Sequence, residues 1–189
     1  MQQNRILNNY KRLYRLYDSG KVFVAFDTET TSLTPKTGRI IEIGAVKFTK
    51  DGIIDTWTSL FNPKQALNQI ITDVTKLTDF DLINQPLINE KLPDFLDFIK
   101  GSILIGHNVQ FDLNFLNSEC GNCFINKTNN QAIDTLQYSI WAFPELQSHK
   151  LSYLSNNFNL ESSVFHRAQA DAETCMKLFL RIIKDTKKN

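Results

Sequence analysis

The order of β-prone and helix-prone segments predicts an α/β fold: a mixed sheet of three antiparallel strands and then parallel strands, flanked by helices. Three observations carry this reading. Lys21-Val-Phe-Val-Ala-Phe26 is β-rich and almost continuously apolar, as a strand buried on both faces requires. Two more β-prone runs, residues 39–49 and 53–61, are joined by Lys50-Asp51-Gly52, a turn signal of hairpin type. Helical and strand-like segments then alternate towards the C-terminus.

Taken in order, residues 3–18 place Ile6, Leu7, Tyr10, Leu13, Tyr14 and Tyr17 at helical spacing, with Arg5, Lys11, Arg12 and Arg15 on other faces. This predicts an amphipathic N-terminal helix within residues 1–20, packed on a domain of residues 21–189. Asp18-Ser19-Gly20 breaks it. The first three strands should form an antiparallel meander, ended by Asn62-Pro63, and the polar stretch up to Pro86 should carry only short helical turns. Residues 89–100 read as a helix with Leu92, Phe95, Leu96 and Ile99 on one side, closed by Gly101. Residues 102–105 read as a short buried strand, and residues 109–118, 133–143 and 167–184 as helices.

Composition bounds the function. A chain of 189 residues suits one domain, at roughly 100–200 residues per domain. Hydrophobic residues at 42% and charged residues at 22% argue against disorder, collagen and coiled coil. With 21 Lys and Arg against 20 Asp and Glu, the net charge is +1, so a nucleic acid would have to be held by a local patch or by metal ions. No apolar run approaches the roughly 18 residues of a membrane span, and the first residues lack the apolar core of a secretory signal. The expectation is a cytoplasmic protein with no membrane partner. Three cysteines, an odd count, make no disulfide framework. Because the chain stops soon after its last helix, it is expected to act alone or to hold a partner on its folded surface; oligomeric state leaves no signature.

The chemistry begins where the first buried strand ends, at Asp27-Thr28-Glu29-Thr30-Thr31. Residues two apart in an extended chain share a face, so Asp27 and Glu29 present two carboxylates side by side. Like charges that close have two escapes: one group keeps its proton, or a hard cation such as Mg²⁺ neutralises both. A solvated strand end is the plainer alternative. Gly106-His107-Asn108-Val109-Gln110-Phe111-Asp112 adds an acid in the first turn of a helix, where an Asp also suits the helix dipole. His166-Arg-Ala-Gln-Ala-Asp171 adds a third segment, with Ala168, Ala170 and Ala172 leaving room for another element to approach.

Together these three segments resemble the exonuclease motifs of the DEDDh family of 3′→5′ exonucleases, the group that includes the proofreading subunit of bacterial DNA polymerase III. Asp27-Thr-Glu29-Thr-Thr resembles the first motif, His107-Asn108-x-x-Phe111-Asp112 the second and His166-x-Ala168-x-x-Asp171 the third. Ile40-Ile-Glu-Ile-Gly44-Ala-Val resembles the family's second strand, Asp134-Thr135-Leu136 a later helix start, and Lys150-Leu151-x-x-Leu154 the segment before the third motif. The likeness spans nearly the whole chain after Lys21. Ser32 stands where many relatives have glycine, and Thr75-Lys76-Leu77-Thr78 lacks the family's usual Gly-Ile-Thr continuation.

The resemblance implies an RNase H-like fold and a two-metal mechanism. It implies that Asp27 bridges two divalent cations, Mg²⁺ or Mn²⁺, that Glu29 and Asp171 complete the first, and that Asp112 serves the second directly or through water. By the same resemblance His166 takes a proton from the attacking water, while Thr30, Leu33, His107, Asn108 and Phe111 meet the terminal nucleotide. Each of these also has a bland reading: Phe111 and Leu33 as core, Asn108 as a helix cap, His166 as a buried or capping histidine. The expected function is removal of nucleotides from single-stranded or frayed 3′ ends, DNA favoured over RNA, in proofreading or repair, with a DNA polymerase subunit as a candidate partner. The competing readings are a 3′→5′ exoribonuclease of the same family, an RNase H-like endonuclease or transferase, and a non-catalytic nucleic-acid-binding module.

Overall fold

The structure, a computed structural model, describes residues 4–160 and 167–187. In chain order it contains β1 (Arg5–Ile6), a 3-10 turn (Tyr10–Arg12), α1 (Leu13–Asp18), β2 (Phe23–Thr30), β3 (Ile40–Thr49) and β4 (Gly52–Leu60). There follow α2 (Gln69–Thr75), α3 (Asp79–Leu82), α4 (Ile88–Ile99), β5 (Ile103–Gly106), α5 (Val109–Asn122), β6 (Gln131–Asp134), α6 (Thr135–Ala142), α7 (Leu151–Phe158) and α8 (Ala168–Thr186). The strands form one sheet in the order β1-β6-β5-β2-β3-β4. β2, β3 and β4 pair antiparallel, whereas β5, β6 and β1 join in parallel, which is the mixed, RNase H-like arrangement the sequence predicts.

The apolar run in β2 is buried on both faces because the sheet is covered on both sides. Alternation sends Phe23 and Ala25 to one face, with Val46, Phe48, Ile103, Ile105 and Ile133, where α6, α7 and α8 pack. Val24 and Phe26 go to the other, with Ile43, Ala45 and Leu104, against α4 and α5. β4 is the exposed edge, and its residues alternate little because only part of one face is covered.

Three elements differ from expectation. Only residues 13–18 of the N-terminal segment are α-helical; Arg5 and Ile6 instead pair in parallel with Gln131 and Ala132, and the Leu7 amide donates to the Ala132 carbonyl at 2.7 Å. The open edge of β6 offers ladder hydrogen bonds that the asparagine-rich start, a poor helix former, accepts. Leu13 is buried, and Tyr10, Tyr14 and Tyr17 lie against the same core. Residues 131–134, the last two of which were expected to open a helix, are strand, and the helix starts at Thr135 once the Asp134 carboxylate accepts the Leu136 amide. Residues 151–158, read only as a motif segment, form α7.

Both departures from the family pattern have a local answer. Lys76 takes the left-handed conformation, φ 61°, at the C-cap of α2, a position that glycine occupies more cheaply by about 1 kcal/mol. Ser32 needs no positive φ. The glycine of that loop is Gly38, where an added Cβ would lie 2.4 Å from the Ser32 Oγ. Among the described residues no helix is long and apolar enough to cross a membrane.

Candidate active site

β2 outruns its parallel neighbour. Its pairing with β5 stops at Ala25 opposite Ile105, whereas its antiparallel pairing with β3 continues to Thr30. The two positions after Ala25 on the α8 face are Asp27 and Glu29, so the alternation that buries Phe23 and Ala25 delivers two carboxylates just where the apolar cover ends. α8 brings the third: Asp171, in its first turn, is buried, and one carboxylate oxygen from each of Asp27, Glu29 and Asp171 lies within 4.8 Å of the others. This is the only group of three metal-capable side chains so placed among the described residues.

Asp112 arrives from the opposite face. Thr28 points towards α5, and because β5 has ended, its backbone amide has no strand partner. The Asp112 Oδ1 accepts that amide at 3.0 Å and the Thr28 hydroxyl at 2.7 Å. Asp112 therefore joins the acidic end of β2 through the amide and hydroxyl of Thr28 rather than as a fourth member of the tight group.

The electrostatics match this crowding. Burial, followed by the charges of Asp112, Glu29 and Asp171, holds the Asp27 carboxyl well above the usual carboxylate range. Burial and then Asp171 push Glu29 up to about 8. Burial raises Asp112 to about 7 against the opposing hydrogen bonds from Thr28. Without counter-ions the site keeps protons at neutral pH. Crowded, partly buried carboxylates that resist ionising together are the donor set a hard divalent cation satisfies.

The other sequence-predicted residues divide. Leu33 projects from the loop after β2 and is 85% exposed, so it is not core. Thr30 is buried, its hydroxyl donating to the Ser32 carbonyl at 2.7 Å within that loop. Asn108 is exposed at the N-cap of α5, in the left-handed region at φ 67°, and its side chain caps nothing; its backbone amide donates to Asp134 at 2.9 Å. Phe111 is half-buried against Phe115, ring centres 5.0 Å apart. His107 turns inward: its Nε2 must donate to the His149 carbonyl at 2.7 Å, and its Nδ1 meets the Thr135 hydroxyl at 3.0 Å. Burial lowers its pKa, so a neutral ring bridging the end of β5, the start of α6 and the loop before α7 has no nitrogen left for a nucleotide. His166 lies outside the described residues.

Two charged residues at the site escaped the sequence reading. Glu42 on β3 is 2% exposed and pairs with Arg167 at 3.1 Å, beside Glu29. Glu42 interrupts an otherwise apolar β3 run, which was the available signal.

Comparison with known proteins points the same way. The RNase T family, described as an exonuclease family, matches residues 24–179. The DNA polymerase III subunit epsilon of Treponema pallidum is 40% identical over 163 residues, 85% of this chain and 76% of that protein. The PolC-type DNA polymerase III of Bacillus subtilis is 35% identical over 177 residues, 93% of this chain but 12% of that much longer one. Among solved structures, exonuclease X in complex with 5′ overhanging duplex DNA superposes with a TM-score of 0.69 at 20% identity, covering 86% of this chain and 91% of that one. Escherichia coli exonuclease I in complex with a dA16 oligonucleotide gives 0.75 at 18% identity, covering 87% and 42%.

Proposed function

Because the chain belongs to the RNase T exonuclease family, we propose that it is a metal-dependent 3′→5′ exonuclease that releases nucleoside monophosphates from single-stranded or frayed DNA ends. The observation that carries this reading is the group of Asp27, Glu29 and Asp171 at the open end of β2, with Asp112 beside it. An all-oxygen, partly buried, acidic donor set favours Mg²⁺ or Mn²⁺, held by Asp27, Glu29 and Asp171 with Asp112 as a further ligand. Such ions, when bound, supply an activated water and charge stabilisation for the leaving 3′ oxygen.

The chain's own residues do the rest. The exposed Leu33 offers an apolar edge to the last base, and Phe111 and Asn108 face the same end of the sheet, contacts that tolerate any sequence because every base has an apolar face. DNA is favoured over RNA because the relative with 40% identity is named as a DNA polymerase subunit. That name, and the PolC-type proteins in which the match is only one part, support a polymerase as partner and proofreading as the setting.

The test is a time course on 5′-labelled single-stranded DNA, matched RNA and mispaired duplex with Mg²⁺, Mn²⁺ or EDTA. Shortening from the 3′ end of DNA, abolished by EDTA, is expected; faster loss of RNA would assign the exoribonuclease function instead, and cleavage of a closed circle would exclude an exonuclease.

His166, five residues before Asp171 in sequence, is proposed as the proton acceptor for the attacking water. His166→Ala should lower kcat roughly 10² to 10⁴-fold while Mn²⁺ still raises the melting temperature. Near-complete retention of kcat at saturating substrate and metal would remove that role.

A further inference from the structure

The first turn of α8, which carries Asp171, is fixed to β3 at three successive places. Both Glu42 carboxylate oxygens receive the Arg167 Nε, at 3.3 and 3.2 Å; Oε1 also receives Nη2 at 3.1 Å, and Oε2 the backbone amide of Ala168 at 3.3 Å. That amide is one of the first-turn donors a helix cannot satisfy internally. Two residues on, Gly44 lies directly under the helix: an added Cβ would sit 2.1 Å from the Gln169 nitrogen and 2.2 Å from the Ala168 carbonyl carbon. The adjoining Ala45 amide donates to the Gln169 side chain at 3.3 Å.

These anchors are in register with the acids. Gly44 is the cross-strand partner of Asp27, and Glu42 that of Glu29, all four facing α8. Glu42 itself is a poor candidate for a further ligand, since Arg167 neutralises its charge and both oxygens already accept hydrogen bonds. We propose that Glu42 is a positioning residue for the hydrolytic reaction: with Arg167 as its partner and Gly44 as the seat, it locks the first turn of α8 on β3 so that Asp171 meets Asp27 and Glu29. This rests on the reading of those three acids as a metal-holding group. Residues that hold ligands in place typically contribute 10 to 100-fold to metal affinity or activity.

Glu42→Gln keeps the side-chain volume and an acceptor for the Ala168 amide but sets an amide NH₂ against the guanidinium donors. Isothermal titration with Mn²⁺ should show affinity about 10-fold weaker than wild type, and kcat on single-stranded DNA should fall about 10 to 100-fold with KM within about threefold. Arg167→Gln, altered at a half-exposed side chain, should lower kcat in the same way with KM unmoved. A purely electrostatic influence would move the two variants in opposite directions, since one loses a negative and the other a positive charge. Opposite signs, a change in KM alone, or a lowered melting temperature with wild-type kcat would overturn the proposal. If Glu42→Gln cannot be obtained folded, the kcat and KM of Arg167→Gln decide. Asp171→Asn is measured alongside: wild-type Mn²⁺ binding by that variant would sink the metal-site reading itself, whereas its loss together with unaffected Glu42→Gln would sink only the positioning role.

Discussion

Asp27→Asn is expected to lower kcat/KM on single-stranded DNA by at least roughly 10³-fold, because the charge stabilisation a metal site supplies is several kcal/mol and each 1.36 kcal/mol is tenfold. Burial, and then the charges of Asp112, Glu29 and Asp171, hold the Asp27 carboxyl well above the usual carboxylate range. The amide keeps the shape and removes the charge. The same change should stabilise the metal-free protein by about 1–2 kcal/mol, since it relieves repulsion that the fold otherwise tolerates at a functional site. Melting curves without metal should therefore shift upward by a few degrees as activity disappears, and the Mn²⁺-induced rise of the wild type should largely vanish. A variant that stays within tenfold of wild-type activity, or that melts well below wild type in EDTA, would show that Asp27 is not at the centre of a charge-repelled metal site.

In EDTA the wild-type melting temperature is expected to fall by on the order of 10 °C between pH 5 and pH 8. Glu29 is pushed up to about 8 from an ordinary 4.5, and Asp112 to about 7 from 3.8. In this window the native state keeps protons that the unfolded chain has released, so stability declines as pH rises. The contribution is fully present below about pH 4 and is lost as pH climbs through the folded values of about 7 and about 8. The net loss is a few kcal/mol, and each kcal/mol is worth about 2–4 °C in a chain of this size. Saturating Mn²⁺ binds the ionised native acids, so its stabilisation should grow with pH and flatten the profile. Differential scanning calorimetry at pH 5, 6, 7 and 8, with EDTA and with Mn²⁺, decides. A metal-free melting temperature that is level or rising over that range would contradict the convergence of these acids.

The sequence by itself determined β2, β3 and β4, because a doubly buried strand and a hairpin write their requirements locally: an unbroken apolar run over residues 23–26 and Lys50-Asp51-Gly52 between two β-prone segments. It also placed two carboxylates together, since acids at period two on β2 share a face whatever surrounds them. Local pattern misread the edges and joints. Residues 5–6 and 131–134 became strands because each found a ladder partner far away in the chain, which no window of neighbouring residues reveals. Tertiary structure alone decided which acids meet. Asp171 reaches Asp27 because Gly44 lets α8 rest on the β3 backbone, and Asp112 turns to Thr28 because the pairing of β2 with β5 stops at Ala25, three residues before that amide. The roles of His107 and Glu42 were likewise set by packing: the histidine shares a motif with Asp112 yet spends both nitrogens inside the protein, and the glutamate, unremarked in sequence, is buried against Arg167. A side chain's type and spacing fix what it can do; the partner that takes up its charge or hydrogen bond comes from another part of the chain, and only the fold brings that partner within reach.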